Sequence, residues 1–151
     1  MQTKAFTITQ NKGLLAKIIS EAVLFNPYNK KTIKVKALWD TGATCSVISK
    51  IIAKRISLRK ICYSEMRHAN GIERVPVFVA GMKLPNQVII PELTVLSCNP
   101  IHEFDLIIGM DIIAKGDFAI TGKDGNTKFS FRMPSIADID FTCPPTSSPN
   151  S

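Results

Sequence analysis

The sequence predicts a single, mostly β domain, built as a barrel or a sandwich of short strands. Short apolar or alternating segments recur along the chain between glycines, prolines and asparagines. Residues 46–56 are the best helix candidate and are too few for a helical bundle. The chain has 151 residues, of which 45% are hydrophobic, and this is enough for one core and too apolar for a disordered chain.

The N-terminal part of the chain predicts strands. Residues 6–9 are apolar or β-branched and are followed by a turn. Residues 14–25 fit either a helix or a strand, and the pattern leaves both open. Residues 32–39 alternate between apolar side chains and lysines, which predicts a half-buried strand that leads directly into Asp40.

Residues 46–56 predict a short helix with an apolar stripe, in which Ser46 or Ser49 caps the start. Beyond Asn70 and Gly71 the pattern returns to short strands, at 74–80, 87–90, 93–96, 106–108, 118–121 and 127–131. The last two flank a glycine-bearing loop and predict a hairpin. We expect residues 1–141 to form the domain and the proline-rich residues 142–151 to be a disordered tail.

Composition restricts the compartment and the cofactors. No apolar run reaches the length of a membrane span, and the first residues do not read as a signal peptide. The four cysteines form no C-x-x-C pair, which predicts a reduced, cytoplasmic protein with neither a metal site nor another cofactor. His68 and His102 lack metal-ligand spacing and are predicted to be surface or packing residues, and Cys45 to be a small buried one.

The net charge of +7 is unevenly placed, because the first 60 residues hold twelve lysines and arginines but only two acids. Such a segment can attract nucleic acid or an acidic partner. No basic run reaches five residues, however, and few aromatic residues interleave with the lysines. We therefore predict a solvated basic face and no nucleic-acid partner.

Asp40 begins the most informative segment, Asp40-Thr41-Gly42-Ala43. A carboxylate that follows a buried strand on a tight loop is rigid and partly desolvated, as a catalytic acid or base requires. The glycine permits a close backbone approach, and the threonine hydroxyl can fix the loop. The alternative interpretation is an aspartate that merely starts a turn.

A second segment, residues 105–111, is an apolar strand that stops at Gly109. An Asp-Thr-Gly-Ala loop between a strand and a helix, followed later by an apolar-apolar-Gly strand, resembles the retropepsin-like aspartic proteases. The resemblance covers roughly residues 32–113, and residues 116–121 look like the bacterial and phage members.

The resemblance implies a retropepsin-like acid protease barrel with one short helix after the catalytic loop and one near the late glycine. It implies that Asp40 is catalytic. The residues it assigns to loop support are Thr41, Gly42 and Ala43. The strand it places beside the site contains Ile107, Ile108 and Gly109. Its glycine-tipped flap falls on Ala69, Asn70 and Gly71.

The number of motifs decides the assembly. Aspartic protease chemistry needs two carboxylates that share one proton, and this chain has one Asp-Thr-Gly. We therefore expect a two-fold homodimer that hydrolyses peptides or proteins with an activated water. Asp105, Asp111 and Asp117 are weaker candidates for the second carboxylate, because none lies in such a motif. The alternative function is a silent protease-fold module that binds peptides or dimerises.

The sequence departs from the retroviral members at two positions. They commonly carry an aspartate where this chain has Thr44 and an arginine where it has Met110. Those two residues belong to an ion-pair network at the base of the retroviral dimer, so that network is missing here.

Overall fold

The computed structural model describes residues 2–9, 13–99 and 103–142, so His102 and all of the predicted tail except Thr142 lie outside the described residues. Most described residues belong to strands, which confirms the predicted class. The elements in chain order are β1 (Lys4–Thr9), β2 (Ile18–Phe25), β3 (Thr32–Trp39), β4 (Val47–Ser49), α1 (Lys50–Arg55), β5 (Arg59–His68), β6 (Gly71–Lys83), β7 (Ile89–Cys98), β8 (Leu106–Ile108), α2 (Met110–Ile113), β9 (Asp117–Thr121) and β10 (Lys128–Met133).

Seven strands form a barrel-like sheet in the order β2-β3-β8-β4-β7-β6-β5. An additional pairing between β2 and β6 closes this sheet on itself. The pairs β3–β8 and β4–β7 are parallel, and the other described pairs are antiparallel. β5 pairs with β6 alone among the described strands, so one edge of β5 is free.

Two ambiguous or helical segments turn out to contain strands. The ambiguous residues 14–25 contain β2, which buries every second residue from Ile18. The predicted helix 46–56 is wrong at its start, because Val47–Ser49 forms β4 between β7 and β8. All three residues are buried, and strand pairing on both sides outweighs the local helical spacing. Ser49 then caps α1 by accepting the Ile52 N–H at 3.3 Å.

The β5–β6 hairpin is larger than the sequence indicates. β5 was not predicted, because its residues are nearly all exposed and so lack an apolar alternation. β6 extends from Gly71 to Lys83 instead of spanning only 74–80. β7 continues through Pro91, where a break was predicted; this proline lies in a register shift of the β6–β7 ladder, between Ile90 and Leu93.

The remaining sheet, β1-β10-β9, packs on the barrel through aromatic side chains. Trp39 at the end of β3 lies at the centre, with ring centroids 4.8 Å from Phe131 and 5.2 Å from Phe129. Its indole N–H donates to the Ser20 hydroxyl at 2.9 Å, which satisfies the buried polar atom. The last residue before Asp40 is thereby fixed in the core. No helix in the described ranges is long and apolar enough to span a membrane.

Asp117 fastens the segment that follows β10. Its carboxylate accepts hydrogen bonds from the Ser135 hydroxyl, the Arg132 guanidinium and the Ile136 N–H. These donors lower the pKa of Asp117 to about 2, with the Ser135 bond the largest cause.

This lowered pKa predicts a pH dependence of stability. The stabilisation is complete above the ordinary aspartate pKa of 3.8 and is lost as pH falls through about 2, since the unfolded chain protonates first. Between about pH 5 and pH 2, the free energy of unfolding should fall less in Asp117→Asn than in wild type. Urea titrations at both pH values measure the free energy of unfolding, with Asp124→Asn in the β9–β10 turn as control. The same decline in wild type and Asp117→Asn would contradict this assignment.

Candidate active site

Two parallel strands of the barrel, β3 and β8, end side by side. Trp39 pairs in register with Ile108, so Asp40 and Gly109, which follow them, lie at the same edge of the sheet. The Asp40 N–H donates to the Ile108 carbonyl at 3.0 Å. The two motifs that stand far apart in the sequence therefore meet in space.

The loop after β3 turns tightly around the Asp40 carboxylate. Asp40 Oδ1 accepts the Gly42 N–H at 2.8 Å, and the Ala43 N–H donates to the Asp40 carbonyl at 3.2 Å. A Cβ atom at Gly42 would lie 3.1 Å from Asp40 Oδ1 and would crowd the carboxylate. The main chain of the loop thus holds the half-buried Asp40 carboxylate in one orientation, and no other side chain is needed to orient it.

Gly109 lets the backbone after β8 cross this loop in direct contact. A Cβ atom there would lie 2.7 Å from the Ala43 carbonyl oxygen and 2.8 Å from that of Cys45, so only glycine fits. Immediately beyond it, the Met110 N–H donates to the Ala43 carbonyl at 2.8 Å, and the Asp111 N–H to the Thr44 carbonyl at 3.2 Å. The start of α2 therefore holds the loop in place through main-chain hydrogen bonds.

Ser46 and Asp111 form the anchor at the end of the loop. The fully buried Ser46 hydroxyl donates to Asp111 Oδ1 at 2.8 Å and accepts the Gly109 N–H at 3.2 Å. The Ser46 N–H donates to Asp111 Oδ2 at 2.9 Å. Ser46 is thus not the cap of α1. Sequence reasoning missed this pair, and its one available signal was a serine beside a buried apolar segment.

A cleft of about 680 Å³ opens in front of Asp40. One wall is the loop 40–45 and another is the β5 segment from Ser64 to His68. The remaining lining is mostly apolar, from Val47, Leu96, Cys98 and Ile107. A cavity of this size and character falls in the range of ligand-binding clefts.

Of two residues from the sequence analysis that lie here, Cys45 departs from its prediction, whereas His68 is an exposed residue, as predicted. Cys45 is exposed at the cleft and not buried, because the loop runs along the cleft before it enters β4. His68 also lines the cleft, next to the β5–β6 turn. A further cysteine, Cys98, was not singled out, and burial raises the pKa of its thiol, with the nearby Glu73 adding to the shift.

The predicted site residues take three kinds of position. Those lining the cleft are Asp40, Gly42, Ala43 and Ile107. Those behind it, in the core of the sheet, are Ile108 and Gly109. The exposed positions beside it are Thr41 on the loop and the hairpin turn Ala69, Asn70 and Gly71, where Gly71 has a φ of +127°. The strand segment before that turn, Ser64–His68, was missed.

Asp105, Asp111 and Asp117 do not line the cleft. Asp105 accepts the Lys36 N–H at 3.3 Å at the opposite end of β8, and the other two are bound as described above. The other acid that lines the cleft is Glu65, an exposed residue of β5. Within the described ranges, no three histidines, cysteines or acids cluster as metal ligands do.

Removal of the Ser46 hydroxyl should loosen the loop. Ser46→Ala leaves the Gly109 N–H and one Asp111 oxygen without their buried partner, which costs about 1–3 kcal/mol of unfolding free energy. Urea denaturation measures this loss, with Thr94→Ala on the exposed face of β7 as control. A loss no larger than that of the control would show that the anchor does not hold the loop.

The fold has counterparts among solved structures, although no protein-family model and no curated protein sequence matches this chain. A retropepsin-like aspartic protease from Rickettsia conorii aligns with a TM-score of 0.59 at 14% identity, over 87% of this chain and 94% of that one. The EIAV protease in complex with an inhibitor aligns with a TM-score of 0.55 at 20% identity, over 71% and 92%. At these identities the likeness is one of fold. The barrel, the loop after β3 and the crossing at Gly109 thus make up the retropepsin-like fold that the two motifs predict.

Proposed function

We propose that this chain is an aspartic endopeptidase that acts as a two-fold homodimer. The observation that carries the proposal is the position of Asp40, whose carboxylate is held by the Gly42 N–H at one wall of a peptide-sized cleft. The retropepsin-like fold of the two neighbours supports it. The roles of the loop residues and the flap are part of this proposal.

The chemistry requires a second carboxylate next to Asp40. Two carboxylates in contact share one proton, because two negative charges cannot persist at that distance. The ionised member takes a proton from a bound water while the protonated member polarises the scissile carbonyl. The water oxygen then bonds to the carbonyl carbon, and the peptide C–N bond breaks as the amine is protonated.

A second copy of the chain supplies that carboxylate. Glu65 lies on an exposed strand and lacks the loop that orients Asp40. The Asp40 of a partner brings its own loop, and a two-fold axis beside the loop makes both carboxylates equivalent. Thr41 is exposed on the loop, where it can brace the partner loop across the axis.

The substrate binds as an added strand. β5 has a free edge, and its residues Ser64–His68 face Asp40 across the cleft. An extended peptide between them pairs its main chain with that edge and places alternate side chains against the apolar lining. The turn Ala69-Asn70-Gly71 then acts as the tip of a flap over the bound peptide.

Asp40→Asn should abolish cleavage and leave the fold intact, because it removes the charge that activates the water and changes no volume. Mass spectrometry of a peptide library tests this, with Asp124→Asn as control and sedimentation to verify the dimer. Equal cleavage by wild type and Asp40→Asn would refute the proposal. Peptide binding without turnover by wild type would favour the silent module.

The dimer makes its own prediction. Specific activity should fall on dilution, since monomers carry half a site. A fixed amount of wild type mixed with excess Asp40→Asn should lose activity as mixed dimers form. Activity per chain that does not change across a dilution series in which sedimentation detects dissociation would refute the shared site.

A further inference from the structure

Among the described residues that line the cleft, Arg67 on β5 is the one with a permanently cationic side chain. Arg67 is exposed, and no carboxylate of the described residues lies within 4.0 Å of its guanidinium. None of the described lysines and arginines of residues 1–60 lines the cleft, so the basic charge of that segment is separate from the charge of Arg67.

The hairpin register explains why Arg67 has no acidic partner among the described residues. In the β5–β6 ladder Arg67 lies opposite Ile72, whereas Glu65 lies opposite Arg74. The remaining acid of the hairpin, Glu73, approaches His68 at 3.9 Å. Each acid of the hairpin therefore has a basic group beside it, and the Arg67 charge remains available at the cleft.

We infer that Arg67 selects substrates with an aspartate or glutamate side chain close to the scissile bond. This inference rests on the proposed function and names its substrate class. A guanidinium binds a carboxylate through two parallel hydrogen bonds. A peptide paired with the free edge of β5 carries one of its side chains past Arg67 and others against the apolar lining of the cleft. The preferred substrate thus combines one acidic residue with apolar neighbours.

Arginine on an edge strand also has a simpler use, because a charge there discourages pairing with other chains. That use predicts aggregation of variants without the charge and no effect on peptide choice. Arg67→Lys separates the two roles, since it keeps the charge and loses the planar pair of donors.

The test uses a library of N-acetylated, C-amidated peptides that contain no terminal charge. Peptides that are cleaved by wild type, or bound by Asp40→Asn, are resynthesised with each Glu or Asp replaced by Gln or Asn. We expect replacement at one position to lower both kcat/KM in wild type and affinity in Asp40→Asn by about tenfold. In Arg67→Gln the same replacement should change either value by less than about twofold, and Arg67→Lys should lie between.

Arg59→Gln is the matched control, because Arg59 is an exposed arginine on the same strand, lies opposite Val79 and does not line the cleft. It should keep the full preference. The inference is overturned if acidic and amide peptides behave alike in wild type and in the binding assay, or if Arg67→Gln keeps the preference. Cleavage without an acidic preference leaves the proposed function standing, whereas binding without cleavage refutes that function and still measures the preference.

Discussion

The site depends on one close crossing of backbone. The chain that leaves β8 passes the loop that leaves β3 with no side chain between them, because Gly109 has none. Three hydrogen bonds then close the crossing: Ser46 donates two to the Asp111 carboxylate, and its hydroxyl accepts one from the Gly109 N–H. These bonds hold a loop that has no regular secondary structure. A carboxylate that must be positioned for chemistry requires such support.

The two parallel strand pairs of the barrel make this crossing possible. Only parallel strands bring the carboxyl ends of β3 and β8 to one edge, and such strands need a long connection between them. That connection contains the strands from β4 to β7 in chain order. The cleft wall on β5 therefore belongs to the connection that the parallel pair requires. The position of Asp40 and the cleft wall on β5 thus arise from one topological requirement.

The parts that local pattern specifies could be predicted from the sequence. The alternation of residues 32–39 and the glycine after residues 106–108 locate β3, β8 and the loop between β3 and Ser46. Ser46 and Asp111 could not be paired, since their contact depends on the fold and not on spacing. β5 was invisible because an exposed edge strand carries no apolar period, and β4 was concealed because its three residues also fit a helix. In our proposal the substrate thus lies between Asp40, which was predicted, and the β5 edge, which was not.

The pairing of β1 with β10 has a consequence for synthesis on the ribosome. β1 precedes the other described strands, and its partner strand lies more than a hundred residues later, as in the contact of Thr7 with Ser130 across 123 positions. Until then Phe6 lacks the Phe129 and Phe131 rings it packs against. Contacts this distant in sequence form slowly. The nascent chain therefore carries an unpaired apolar strand while the barrel folds, and chaperones have that interval in which to bind it.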